Sequence, residues 1–174
     1  MRGSFFISDY VDSNKLRGPM KIVLQRVKSA SVAVGEDVLG RMECGIVLLA
    51  GFGLGDEELK LDRVVERLLN LRIFPDDNGR LNFSLKEAGG GVLIVPQFTL
   101  FARVDRGRRP DFTEAMQPDR ACLLFDAFVD EFRKTGISPV EMGKFGANMA
   151  VSLVNDGPFT LGLEFHTATN TNNQ

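Results

Sequence analysis

Gly45-Ile46-Val47-Leu48-Leu49-Ala50-Gly51-Phe52 is an unbroken apolar run. It falls well short of the roughly 20 apolar residues that a membrane-spanning helix needs. A short run with no polar face suits a strand buried on both sides, and such a strand lies inside a sheet. Candidate partners flank it in the chain. Upstream, residues 21–34 alternate and are rich in Val, Ile and Ser, which fits one bent strand or two. Gly35-Glu36-Asp37 turns the chain, and residues 38–42 return as the second arm of a hairpin.

Downstream, Gly55-Asp56-Glu57-Glu58 reads as a helix start, with Asp56 as the cap and two glutamates at the positive end of the dipole. Leu61, Val64, Val65, Leu68 and Leu69 then recur at helical spacing, and the helix ends near Asn70. Asp76-Asp77-Asn78-Gly79 is a turn, and Gly89-Gly90-Gly91 breaks the chain before a strand at 92–95. A second helix opens at Pro118, carries Ala121, Leu124, Phe125, Phe128, Val129 and Phe132 on one stripe, and ends at Gly136. Residues 151–154 and 159–165 read as two strands around Asp156-Gly157; Phe159, Leu161, Leu163 and Phe165 alternate strictly, so one face is buried. The expected fold is α/β: a mixed β-sheet or barrel-like core with two amphipathic helices packed on one side.

A chain of 174 residues, 44% of them hydrophobic, is most simply one domain with a sizeable core. The formal net charge of -2 argues against non-specific binding to long nucleic acid, so no DNA partner is expected; a local basic patch stays open. Cys44 and Cys122 are too few and too far apart for a disulfide framework or a metal site, which fits a reducing cytosol. Residues 1–19 read as a tag and linker or a natural extension, and Phe5-Phe6-Ile7 would need a place to pack in the second case. Residues 20–166 form the single domain, and the Thr/Asn-rich stretch 167–174 reads as a disordered tail.

The usual catalytic hardware is missing. His166 is the lone histidine and sits in a polar tail, so a Ser–His or Cys–His mechanism and zinc hydrolysis are both poor fits. No metal or cofactor is expected. What remains are main-chain groups, hydroxyls and amides. Pro96-Gln97-Phe98-Thr99-Leu100 reads either as a strand with a buried aromatic or as a strand-end site. In the second reading the Phe98 N–H faces a carbonyl oxygen, with Gln97 and Thr99 supplying hydrogen bonds. Asn155-Asp156-Gly157-Pro158 reads first as a hairpin turn; a Gly-Pro bond can also be cis, which makes a rigid main-chain selectivity element possible. Arg103, Arg106, Arg108 and Arg109 share one loop with a single carboxylate, Asp105, and guanidinium groups suit phosphate oxygens. Phe145-Gly146-Ala147-Asn148-Met149 offers either a stacking platform for a base or a tight turn.

Taken in order, these strings resemble the D-aminoacyl-tRNA deacylase family, also called D-tyrosyl-tRNA deacylase. Gln25-Arg26-Val27, Leu71-Arg72-Ile73-Phe74, Gly107-Arg108-Arg109-Pro110, Gln97-Phe98-Thr99-Leu100 and the Asn155 to Thr160 string all match family motifs across residues 20–165. The resemblance implies a cytoplasmic homodimer that hydrolyses the ester joining a D-amino acid to the terminal adenosine of tRNA. It implies that Gly157 and Pro158 enter the partner's site as a Gly-cisPro chiral filter, with Arg26 holding that loop across the interface. It gives Phe98 the oxyanion donor, lets Gln97 and Thr99 line the site, and leaves water activation to the terminal 2′-hydroxyl. Phe145, Gly146, Ala147 and Met149, with Arg106, Arg108 and Arg109, are the expected adenosine and tRNA contacts. Two residues depart from the pattern: Pro96 replaces serine and Phe159 replaces valine. Proline there resembles a related branch, with trans Gly-Pro, that edits L-alanyl-tRNA. Phe98 and Asn155-Asp156-Gly157-Pro158 match the D-specific branch, and D-specificity is the expectation. A non-catalytic nucleic-acid-binding module is the alternative from another class.

Overall fold

The computed structural model describes residues 19–105 and 107–167. The expected tag or extension, apart from its last residue, and the tail beyond residue 167 lie outside the described residues, as does Arg106. Among the described residues there are eight strands and two α-helices: β1 (Met20–Val34), β2 (Asp37–Met42), β3 (Gly45–Gly51), α1 (Leu61–Leu69), β4 (Phe74–Pro75), β5 (Leu81–Phe83), β6 (Gly91–Pro96), α2 (Pro118–Arg133), β7 (Val140–Met142) and β8 (Ala150–Phe165). Five of these elements, β1, β2, β3, β6 and α2, match the expected positions closely, because period, turn residues and Pro118 all act locally; β4, β5 and β7 carry no signal in the sequence reading.

The main sheet runs β2-β1-β3-β6-β7, with β8 on the free edge of β1. It is mixed: β1 is antiparallel to β2, β3 and β8, while β3, β6 and β7 are parallel. Its ends curl together, since a Cβ on Gly40 of β2 would lie 3.0 Å from the Glu141 Cβ of β7. This is the mixed, barrel-like core expected. The opening octapeptide lies at its centre and is buried on both faces. Ile46, Leu48 and Ala50 face the helices, where they join Val64, Val65, Leu68, Phe125, Phe128 and Phe132. Val47 faces the opposite cluster with Val27, Val32, Leu93 and Val95. Both helices cover the same side. Phe128 is fully buried and meets Phe52 and Phe132 edge-on, with centroids 6.3 and 5.2 Å apart. Each such side chain contributes roughly 1.5–3 kcal/mol through burial.

Two local expectations are corrected. The hairpin expected at Asp156-Gly157 does not form, and residues 150–165 are one strand. The reason is the length of β1, which pairs with both halves of β8, from Met20↔Phe165 to Ala33↔Ala150. Two steps on β1, Gln25 to Val27, oppose five on β8, Thr160 to Asn155, so residues 156–159 bow out of the ladder. Proline fits such a bulge because it has no ladder hydrogen bond to give.

The helix expected at Asp56 begins instead at Leu61, after a 3-10 turn at Asp56–Glu58. Asp56 does not cap α1. Its side chain is buried and accepts the Gly53 N–H at 2.7 Å and the Met20 N–H, tying the end of β3 to the start of β1. Burial raises its pKa from 3.8 to about 7, aided by the nearby Glu57 charge; the Gly53 and Met20 N–H groups pull the other way. A carboxyl whose folded pKa exceeds its unfolded one binds more protons in the native state, so stability falls as pH rises between the two values. Wild-type stability is therefore expected to carry a decline between about pH 4 and pH 7 that Asp56→Asn removes. Urea unfolding of both proteins across that range checks it.

Candidate functional site

The parallel pair β3 and β6 ends together, and both chains leave the sheet at the same edge. Gln97 N–H still donates to the Ala50 carbonyl at 2.8 Å, and the chain then turns into a 3-10 helix at Phe98–Phe101. The closeness of the two chains depends on Gly51, where a Cβ would lie 2.6 Å from the Gln97 carbonyl oxygen. Phe101 anchors the turn in the core, while Phe98 is 56% exposed. The first N–H groups of any helix lack an intrahelical acceptor. Among the described residues, the Phe98 N–H has no protein partner. Gln97 Nε2 donates to the Thr99 hydroxyl, so these two side chains hold each other across the first step of the turn.

A cleft of about 500 Å³ opens beside this turn. One wall carries Pro96, Gln97 and Phe98; the opposite wall carries Phe145, Gly146, Ala147 and Met149. That second wall follows β7 and is fixed by Gly143 N–H donating to the Ile94 carbonyl at 2.8 Å and by Phe145 resting on Phe125, with centroids 6.4 Å apart. A third wall, from Phe112 to Gln117, has no counterpart in the motif reading. It is fastened to β3 by Met116 N–H donating to the Phe52 carbonyl at 2.9 Å. The cleft thus combines an open main-chain donor with apolar walls. In such a site a donor aimed at developing oxyanion charge is worth more than in water.

The structure brings Gln97, Phe98, Phe145, Gly146, Ala147 and Met149 together. Thr99, Gly157, Pro158, Arg26, Arg108 and Arg109 do not line the cleft of their own chain, and neither does the exposed His166. Gly157 and Pro158 lie on the bow of β8, both exposed, and their peptide bond is cis. Arg26, buried on β1, grips the bow of its own chain. Its Nε donates to the Asp156 carbonyl at 3.2 Å and pairs with the Asp156 carboxylate at 3.1 Å. Its Nη1 donates to the Ile73 carbonyl, and its guanidinium sits 5.1 Å from the centre of the Phe159 ring. Asn155 closes the bow from the other side: its Oδ1 accepts the Phe159 N–H at 2.7 Å.

The arginine loop is a closed hairpin. Arg103 and Asp111 exchange two main-chain hydrogen bonds, at 2.8 and 2.9 Å. The Arg103 side chain is occupied by Asp105 and Glu114, each at 3.1 Å, and this pairing holds the Asp105 carboxyl below its ordinary pKa. Arg108 and Arg109 are exposed and have no acidic partner among the described residues. Arg106 lies outside them.

The architecture is a nearly closed mixed sheet with two helices on one side and a cleft at the carboxyl ends of its parallel strands. A solved structure described as a probable eukaryotic D-amino acid tRNA deacylase shares that fold, with a TM-score of 0.70 at 22% identity over 84% of this chain and 99% of its own. A second, described as c-Myc DNA Unwinding Element Binding Protein, has a TM-score of 0.77 at 40% identity, covering 83% of this chain and 98% of its own. D-aminoacyl-tRNA deacylases of Rhodopirellula baltica and Roseiflexus sp. are 50% and 48% identical over 145 residues, which is 83% of this chain and 99% and 93% of theirs. The model of the D-Tyr-tRNA(Tyr) deacylase family matches residues 23–164. The chain belongs to that family, whose members are hydrolases acting on an ester bond. No described helix is long and apolar enough to cross a membrane.

Proposed function

We propose that this protein hydrolyses the ester of D-aminoacyl-tRNA, releasing a D-amino acid and free tRNA in the cytoplasm. The observation that carries this reading is the unpartnered Phe98 N–H at the mouth of an apolar cleft, in a chain of the deacylase family. Water attacks the ester carbonyl carbon. Its oxygen takes up negative charge beside the Phe98 N–H, the bond to the ribose oxygen breaks, and that oxygen takes the proton. Gln97 and Thr99, already bonded to each other, fix the turn that presents the donor. Thr99 is not the nucleophile in this scheme, because no base stands ready to activate it. The 2′-hydroxyl of the terminal ribose orients the water. The adenosine rests against Phe145, Gly146, Ala147 and Met149.

Selection of handedness falls to Gly157 and Pro158. They are exposed on their own chain and far from occupying its cleft, which suits their insertion into the cleft of a second copy in a homodimer. Fixed main chain near the α-carbon rejects an L side chain by leaving no room, which discriminates more sharply than added contacts do. Such a filter ignores what the D side chain is. Release of free amino acid from D-tyrosyl-tRNA, with no release from the uncharged or L-charged control, tests the reaction; stable D-tyrosyl-tRNA would end it.

Arg108 and Arg109 contact tRNA phosphates. Replacing both with Ala is expected to weaken tRNA binding and to flatten the dependence of log K on log salt by about 1.5, close to 0.7–0.9 per lost contact. Filter binding over a salt series measures that slope.

A second reading, a nucleic-acid-binding module without catalysis, draws on the same unpaired arginines and on the solved relative described as a DNA unwinding element binding protein. It expects binding that survives replacement of Gly157-Pro158 and no ester hydrolysis.

A further inference from the structure

Two aromatic side chains of the cleft have no task in the reaction scheme: Phe52, which belongs to the buried core, and Phe112. We propose that Phe112 is a positioning residue: its ring, set in place by the arginine hairpin, holds the Phe98 ring and so fixes the direction of the Phe98 N–H. This rests on the reading of the cleft given above.

Phe98 needs an outside brace. The residue is 56% exposed, and it opens a four-residue 3-10 turn. Short 3-10 turns have poor hydrogen-bond geometry, and the Phe98 N–H has no acceptor among the described residues. Among the described residues the aromatic partner of the Phe98 ring is Phe112, edge-on at 5.1 Å and 69°. This geometry is favourable beyond area burial.

Phe112 can serve as a brace because its own backbone is tied on both sides. The preceding residue, Asp111, is locked to Arg103 by the two hydrogen bonds that close the arginine hairpin. Asp111 Oδ1 also accepts the Thr113 N–H at 2.8 Å. After it, Ala115 N–H donates to the Phe112 carbonyl at 3.0 Å, and Met116 N–H ties the segment to β3. The hairpin that presents Arg108 and Arg109 and the ring that braces Phe98 are therefore one continuous piece. Docking of tRNA on the arginines and alignment of the oxyanion donor share a single strut.

The test is a double-mutant cycle on hydrolysis of D-tyrosyl-tRNA, using Phe98→Leu, Phe112→Leu and both together. Leucine at 98 keeps the N–H and removes only the ring. Each single change is expected to lower kcat by about tenfold, the order of loss that slight misplacement of a catalytic group causes. KM should stay within about threefold, since phosphate contacts are untouched. The double variant should be no slower than either single one, because both remove the same contact. Phe112→Tyr, which keeps the ring, should restore kcat. Unchanged kcat in Phe112→Leu, or single losses that multiply to about hundredfold in the double variant, overturns the proposal. Should Phe112→Leu fail to fold, Phe112→Met, closer in volume, takes its place in the cycle under the same criteria. A wild-type protein inactive on D-tyrosyl-tRNA sinks the cleft reading and this proposal together; an active wild type with a silent Phe112→Leu sinks this one alone.

Discussion

Phe98→Pro is expected to lower kcat for D-aminoacyl-tRNA hydrolysis by about 10²–10³-fold, the loss that removal of one oxyanion donor causes. Proline deletes the N–H and leaves the carbonyl. The position tolerates it for three reasons. It is the first residue of a 3-10 turn, where proline's fixed φ is acceptable. Among the described residues the N–H has no acceptor to lose. Gln97 before it is not helical, with φ -144 and ψ 79, in keeping with the restriction on residues that precede proline. Phe98→Leu separates the two parts of the residue: it loses the ring contact with Phe112 and keeps the donor, so its smaller loss isolates the N–H. Single-turnover rates of the two variants measure the difference, and equal rates would show that the N–H takes no part.

Arg26→Ala is expected to damage selection and stability together. The arginine pairs with the Asp156 carboxylate and donates to the Asp156 and Ile73 carbonyls. Its removal leaves these acceptors without their partner beneath the Phe159 ring. Breaking a fully buried ion pair costs about 3–5 kcal/mol. Here the Asp156 side chain keeps 32% of its exposure and Lys28 lies 3.7 Å away, so a loss of about 2–3 kcal/mol is expected. For a chain of this size that lowers Tm by about 5–10 °C. The functional effect is on the bow of β8. Without its guanidinium the Gly157-Pro158 segment keeps only Asn155 and the exposed Lys28 contact, and the ratio of L- to D-ester hydrolysis is expected to rise by at least about tenfold, equivalent to about 1.4 kcal/mol of lost discrimination. Arg26→Lys should fall between, because an ammonium cannot reach three acceptors as a planar fork does. An unchanged ratio in Arg26→Ala would separate the grip on the bow from selection.

Much of this fold was legible because its signals are local. The octapeptide at 45–52 contains no polar face, and its two-sided burial follows from that alone. Pro118 marks the start of α2 and Gly136 the turn beyond its end, since one lacks a donor and the other accepts positive φ, +80 in the structure. What was not legible depends on distant partners. Asp156-Gly157 is a hairpin signal in any short window, and only the fifteen-residue reach of β1 turns it into a bow. Asp56 has the composition of a cap, but the Gly53 and Met20 N–H groups draw it inward. In the cleft, Phe98 and the 145–149 wall carried motif signals. Phe112 and Gln117 did not: they reach the site through Met116 and its bond to Phe52, a pairing between segments 64 residues apart that no spacing rule announces.

The sharpest test mixes the two variants above. Arg26→Ala chains keep a working cleft and have a loosened bow; Phe98→Pro chains keep a firm bow and have lost the donor. Mixed dimers formed with excess Phe98→Pro chains are assayed for L- and D-tyrosyl-tRNA hydrolysis per Arg26→Ala chain. Suppression of the L-rate toward the wild-type level, with the D-rate retained, is the predicted result, because each working cleft then receives an intact bow from its neighbour. An L-rate that does not change with added Phe98→Pro chains would contradict it, and would place selection within a single chain.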